Sequence, residues 1–157
     1  MSIILVRIDD RLIHGQVTSG WCIKLKPEIV LVVSDEVSGS DWQRDLCLAS
    51  LPECFKGIVA NTEDAHEIIN KLKNDSRPSY VLFESPEDAY KVIKNGAHIT
   101  EINVGGMHSA KGKREILYYM YVDEKDTFYL KALRDMGVKL DFRNLPENEN
   151  ADVMSML

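Results

Sequence analysis

Short apolar runs recur along this chain at residues 3–8, 28–33, 57–60 and 80–83 without the polar alternation of a half-exposed strand, and further strand patterns stand at 101–104, 116–122 and 138–142. A strand covered on both faces needs no polar side, so such runs imply a parallel sheet. Helical stripes stand between them. The clearest is Ala65, Ile68, Ile69 and Leu72, at i, i+3, i+4 and i+7. Strand and helix alternate in this way to the end. The pattern predicts an α/β fold of three layers, α/β/α, around a mainly parallel, open, twisted sheet of six or seven strands.

The element ends carry their own signals. Pro27 closes a first helix whose inner face is Val17, Trp21 and Leu25. Ser40 with Gln43 and Asp123 with Asp126 read as helix caps, and Ser85 followed by Pro86 starts another helix. Gly96 and Gly137 end helices, since glycine accepts the left-handed conformation. Trp42, Leu46, Ala49 and Ser50 share one helix face, which makes Trp42 a core anchor or a subunit contact rather than a sugar platform. Pro146 stops regular structure, and the tail from about residue 147 is expected to fray or to dock on a partner. At 157 residues the whole chain, 1–157, reads as one domain.

Composition narrows the function. A formal net charge of -6 argues against nucleic acid as a partner, because a phosphate backbone needs a basic face. No apolar run reaches the roughly 18 to 20 residues that span a bilayer, and the start has no signal-peptide pattern. A cytoplasmic protein is expected, with any membrane work done through partners. Cys22, Cys47 and Cys54 are odd in number and lack a CxxC pair, so buried reduced thiols are expected. No local spacing of histidine, cysteine or acid suggests a metal site, and no cofactor is implied.

The chemistry concentrates at the end of the first run, in Arg7-Ile8-Asp9-Asp10-Arg11-Leu12-Ile13-His14-Gly15-Gln16-Val17. His14 stands at a strand-to-helix turn. Free N–H groups and the positive dipole end make a helix N-terminus an anion site, and ligands of open α/β sheets collect at this edge. A neutral imidazole there can attack phosphorus and carry a phosphoryl group. Arg11 would neutralise the phosphoryl oxygens, Gly15 and Gln16 would offer backbone N–H groups, and Asp10 would orient the ring or hold Arg11. Thr62, after the third strand, shares the edge; its hydroxyl serves either as a phosphoryl contact or as a plain helix cap. The glycine- and lysine-bearing stretch from Gly105 to Lys113 also ends on that edge. It is not a Walker loop, because Arg114 follows Lys113. Gly105, Gly106, Met107 and His108 read as the rim of the site, His108 also as a second proton carrier.

Other readings of the same residues remain open at this level. His14 can be a capping histidine among solvated ion pairs. Asp9 and Asp10 can hold Mg²⁺ as in a receiver-like or nucleotide-binding regulatory module, though such a module also needs a phosphoacceptor aspartate ending a later strand and a matching lysine, and Asp35 after the second strand is poorly placed for that. A metal-independent phosphatase using His14 and Arg11 lacks a general acid.

The stretch from Arg7 to Val17 resembles, without a gap, the signature of the IIB subunits of the mannose/fructose/sorbose family of the bacterial sugar phosphotransferase system. Ile102 to Met107 with Gly112 and Lys113, and Gly137, Val138, Arg143, Leu145 and Pro146, match further blocks in the same order. The resemblance implies the same α/β architecture and a phosphohistidine intermediate. It implies that His14, through Nδ1, accepts a phosphoryl group from a phosphorylated IIA domain and passes it to a sugar held by IIC/IID membrane subunits. It leaves open a homo-oligomer and the sugar, with His108, Lys111 and Lys113 closer to the N-acetylgalactosamine branch than to the mannose branch. The chain opens directly on a strand, so the IIA domain is expected on a separate chain.

Overall fold

The apolar runs pair with one another. In the computed structural model, which describes residues 2–157, they form β1 (Ile3–Ile8), β2 (Ile29–Val33), β3 (Lys56–Ala60), β4 (Ser79–Phe83), β5 (Glu101–Val104) and β8 (Lys139–Asp141). These six strands make one parallel sheet in the order β3-β2-β4-β1-β5-β8. The helices between them are α1 (Cys22–Leu25), α2 (Asp35–Ser38), α3 (Asp41–Ala49), α4 (Ala65–Leu72), α5 (Pro86–Lys94) and α6 (Glu124–Asp135). Successive strand residues point to opposite faces. Ile29, Leu31, Val33, Val81 and Phe83 therefore join one core with Ala65, Ile69, Ala89, Val92, Leu130 and Leu133. Val30, Val32, Tyr80 and Leu82 join another with Val17, Trp21, Cys22 and Leu51. Each fully buried Val or Leu contributes roughly 1.5–3 kcal/mol, which is why both faces of the sheet are covered.

The order of the strands places the chemistry. From β1 the chain moves out to β2 and β3, returns to lay β4 between β2 and β1, then crosses to β5 on the far side of β1. The carboxyl end of β1 is thus a switch point, flanked by the turns that leave β4 and β5.

Four expectations need correction. Residues 116–122 do not form one strand. They fold back at Tyr118 and Tyr119 into an antiparallel pair, β6 (Arg114–Leu117) and β7 (Met120–Val122), outside the main sheet. No polar residue breaks the run, so hydropathy does not show the turn; Tyr118 is 72% exposed. Trp42 is no core anchor, being 72% exposed, because α3 turns that face of the helix to solvent. The tail does not hang free of the domain: Val153 is fully buried in the main core, and Arg114 Nη2 donates to Met156 O at 3.0 Å. Of the three free thiols only Cys22 is buried; burial pushes it up to about 11.

Candidate functional site

Beyond Ile8 the sheet ladder runs on into the loops. Asp9 N–H donates to Phe83 O, Gly105 N–H to Ile8 O and Asp10 N–H to Gly106 O, each at 2.9 Å. The turn leaving β1 and the loop leaving β5 are stitched edge to edge. Leu12 then takes a left-handed conformation, φ 56°, with its side chain in the core. A non-glycine residue there stores on the order of 1 kcal/mol of strain. It swings the chain back so that His14 arrives at the start of the next helix.

That helix opens wide. Gln16–Trp21 is a π-helical turn leading into α1, with Cys22 N–H reaching Val17 O five residues back. Wide turns of this kind concentrate at functional sites. His14 O accepts from both Thr18 N–H (2.9 Å) and Thr18 Oγ1 (3.1 Å), which pins the residue. Gly15 is in ordinary helical conformation, and a Cβ on it would meet nothing within 4 Å. The space beside His14 is open there.

Asp9 is the hub. It is fully buried, and its carboxylate accepts from Arg7 Nη2 (3.0 Å), Gly106 N–H (3.2 Å) and Arg11 N–H (3.2 Å). His14 Nε2 stands 2.9 Å from Asp9 Oδ2. The ring N–H direction misses the oxygen, so this is an electrostatic contact rather than an aligned hydrogen bond. Burial pushes the Asp9 carboxyl up, but His14, Arg7 and the Arg11 N–H together outweigh it and hold it below the usual carboxylate value. The carboxylate is filled by N–H donors, an environment built for imidazole and guanidinium rather than for Mg²⁺.

Arg7 is buried too, inside an otherwise apolar strand. Its Nη1 donates to Asn103 Oδ1 at 2.5 Å. Asn103 Nδ2 donates in turn to Arg143 O (2.8 Å) and to Asp141 Oδ2 (3.2 Å), and Asp141 pairs with Arg143 at 2.8 Å. The Trp21 ring has the Arg7 guanidinium 5.6 Å from its centroid and that of Arg143 at 5.9 Å. A polar chain therefore runs from β8 through β5 and β1 to His14. It explains Gly105: a Cβ there would lie 1.9 Å from Arg7 Cζ.

The His14 side chain is 14% exposed. Its Nε2 is wholly buried against Asp9. Its Nδ1 accepts from Gln16 N–H at 3.4 Å, at the helix N-terminus. Arg11, 41% exposed, donates through Nη2 to Gln16 Oε1 at 3.1 Å. Arg11, His14, Gly15 and Gln16 thus come together as expected from their spacing.

Other candidates do not sit where they were expected. Asp10 neither orients His14 nor holds Arg11; it turns away to His108, accepting its N–H at 2.7 Å and pairing with its Nδ1. The pleat is the reason, because Arg7 and Asp9 share one face and Asp10 takes the other. Thr62 donates through N–H (2.7 Å) and Oγ1 (3.0 Å) to Asp35. It follows β3, three strands from β1, on the order of 14 Å away at the spacing of a sheet. Met107 is no rim residue but 2% exposed, its backbone bridging to the hairpin. Gly105 and Gly106 make room for Arg7 and Asp9, and only His108 of that group is at the surface, 43% exposed. Arg7, Asp9 and Asn103 were not among the expected site residues. An arginine in a buried parallel strand, two residues from an aspartate, is the signal that points to them.

An oriented imidazole at the carboxyl edge of a parallel sheet, one nitrogen on a buried carboxylate and the other at a helix N-terminus, defines a class of site suited to holding an anion. The family model described as "PTS system sorbose subfamily IIB component" matches residues 3–157, and the chain belongs to that family. It is 32% identical over its whole length to the PTS system fructose-specific EIIB component of Bacillus subtilis, covering 96% of that protein. It is 34% identical to the PTS system mannose-specific EIIAB component of Escherichia coli, across all of this chain and 49% of that one. The crystal structure of the IIBSor domain of the sorbose permease from Klebsiella pneumoniae superposes with a TM-score of 0.88 at 30% identity, covering 99% of this chain and 95% of that one. The protein is a IIB-type component of a sugar phosphotransferase system. Among the described residues no helix is long and apolar enough to cross a membrane.

Proposed function

We propose that this protein carries a phosphoryl group on His14, receiving it from a phosphohistidine on a IIA domain and giving it to a sugar held by IIC/IID membrane subunits. The observation that carries this reading is the division of labour on the imidazole. Nδ1 accepts the Gln16 N–H, which leaves the ring proton on Nε2, buried beside the Asp9 carboxylate. The lone pair then falls on Nδ1, beside the Gln16 N–H. Nε2 is buried, which leaves Nδ1 as the nitrogen to attack phosphorus. Transfer between two imidazoles needs positioning and charge stabilisation rather than new covalent groups. Arg11 and the N–H groups around Gly15 and Gln16 supply both, and Asp9 balances the charge on the phosphorylated ring.

The E. coli relative named as a EIIAB component supports a IIA domain as donor. Relatives named for fructose, sorbose, mannose and N-acetylgalactosamine match at 29–34% identity. That spread favours no one sugar, which fits a carrier whose selectivity resides in the membrane subunits.

The test is intact mass after mixing with a phosphorylated IIA domain. The wild type gains one phosphate, lost in acid and retained in base, and His14→Ala gains none. A competent donor that leaves the wild type unmodified overturns the reading.

A further inference from the structure

Three polar residues stand in one row across three neighbouring strands. Arg7 of β1 lies opposite Asn103 of β5, and Asn103 lies opposite Asp141 of β8. Asn103 is 1% exposed, between the buried Ile102 and Val104. Apolar side chains would tie these strands together as well, since buried polar groups are costly unless each is matched. The row is matched in one way only. A guanidinium can only donate, so the end of Asn103 that faces Arg7 is Oδ1, 2.5 Å from Nη1. Nδ2 then faces three acceptors, Arg143 O at 2.8 Å and Asp141 O and Oδ2 at 3.2 Å. Turning the amide over would set donor against donor.

Arg7 is what this fixes. Its Nε has no partner among the described residues, and the second contact of Nη1, Arg143 O, is 3.5 Å away. The guanidinium is thus held at two ends, Nη1 by Asn103 and Nη2 by Asp9 Oδ2 at 3.0 Å. That Asp9 oxygen is the one 2.9 Å from His14 Nε2. Every link from Asn103 to the imidazole is a direct contact.

We propose that Asn103 is a positioning residue for phosphoryl loading: by fixing how Arg7 is turned, it fixes the Asp9 carboxylate beside His14 Nε2. The inference deepens the carrier reading and rests on it. In loading, the Nδ1 lone pair of His14 forms the new N–P bond. The N–P bond to the donor imidazole breaks, and its electron pair returns to that ring. His14 keeps its Nε2 proton, so its ring gains the positive charge that the donor ring loses. That charge develops beside Asp9, and the carboxylate must already be in place to stabilise it. Misplacing such a group by about 1 Å from a remote site costs up to about a hundredfold.

Asn103→Leu fills the same space and removes every bond. Asn103→Ser is too short to reach Arg7 but leaves room for a water, and it carries the test if the leucine variant does not fold. Loading from a phosphorylated IIA domain is followed by intact mass in single turnovers and counted per folded molecule. The rate at saturating donor falls on the order of tenfold, while the half-saturating donor concentration stays within about twofold, because a buried amide touches no partner. Nitrogen NMR of the His14 ring reads the same link with no donor present. The wild type holds its proton on Nε2, and the variants shift toward a mixture of tautomers. Combined with Asp9→Asn, the serine substitution adds no further loss; independent sites would together lose about a thousandfold. If Asn103 only ties β5 to β8, stability falls but the saturating rate and the ring spectrum do not change. That result, or losses that multiply in full with Asp9→Asn, overturns the proposal. A wild type that does not load from a competent donor removes the carrier reading and the step that Asn103 serves, and the ring spectra tell the two failures apart.

Discussion

Asp9 Oδ2 lies 2.9 Å from His14 Nε2, while its neighbour Asp10 reaches across to His108. Adjacent aspartates thus serve different histidines, because the pleat of β1 sends them to opposite sides. Asp9 also carries the buried Arg7. Asp9→Asn leaves that guanidinium with no counter-charge in the interior, a loss of about 3–5 kcal/mol when a buried pair is broken. Phosphoryl uptake by His14 falls on the order of a hundredfold, since the amide can no longer balance the charged ring. The folded carboxyl titrates below its ordinary value, so its stabilisation is complete above that value, about 3.9. It is lost as the pH falls through the lower folded value. Thermal melts of wild type and Asp9→Asn should therefore differ most near neutral pH and converge in strong acid. A difference that stays constant down to the acid limit would refute the assignment.

Gly105 and Gly15 make opposite predictions from the same substitution. A Cβ at Gly105 meets the Arg7 guanidinium carbon at 1.9 Å and both terminal nitrogens within 2.3 Å, and the arginine is packed on every side. Gly105→Ala displaces Arg7 and with it the links to Asp9 and Asn103; a loss of about 3 kcal/mol or more is expected. Gly15 has φ -54° and open space around it. Gly15→Ala keeps or slightly raises stability, by up to about 1 kcal/mol. Denaturant titrations of the two variants check both signs. If Gly15→Ala also loads phosphate more slowly while remaining as stable as wild type, the open space is where the phosphoryl group enters.

The parallel sheet was legible because strands covered on both faces write themselves as unbroken apolar runs, and the helices between them as 3.6-residue stripes. The same bluntness hid the β6–β7 hairpin, whose turn at Tyr118 and Tyr119 carries no polar or glycine signal. At the site, His14, Arg11, Gly15 and Gln16 are near neighbours in sequence, so spacing alone assembles them. Asp9 was separable from Asp10 only by the pleat, and Asn103 and Arg143 only by strand order, which places β5 and β8 beyond β1. Thr62 shows the limit of the shared-edge argument: an edge of six strands is far longer than a hydrogen bond.

Arg11 is 41% exposed; its Nη2 donates to Gln16 Oε1 at 3.1 Å, and its Nε stands 3.8 Å from the buried Asp9 carboxylate. Arg11→Gln should fold as wild type does and load phosphate about tenfold more slowly, with Arg11→Lys between them because an ammonium lacks the fork that grips two phosphoryl oxygens. The wild-type loading rate falls with added salt, as exposed charges are screened. The glutamine variant loses part of that dependence. Single-turnover loading at two ionic strengths measures both effects.

Asp88 supplies a stability test of opposite sign to Asp9. Burial pushes its carboxyl up to about 6, with Glu84 and Asp35 adding to the rise and Ser85 opposing it. Above that pH the folded protein holds an unfavourable charge at the start of α5. A folded value higher than the ordinary one, about 3.9, means that the native state binds the extra proton. Stability therefore rises as the pH falls from about 6 toward 4, over the window between the two values. Asp88→Asn removes the charge without changing the shape and leaves the Ser85 cap on the Asp88 N–H position intact. The variant is expected to be more stable than wild type by about 1–2 kcal/mol at pH 7.5, a figure reduced for partial exposure. The advantage disappears below pH 4, where the wild-type carboxyl is protonated in both states. Urea denaturation at pH 7.5 and pH 4 decides it: equal midpoint differences at the two pH values would mean that Asp88 does not titrate where its surroundings place it.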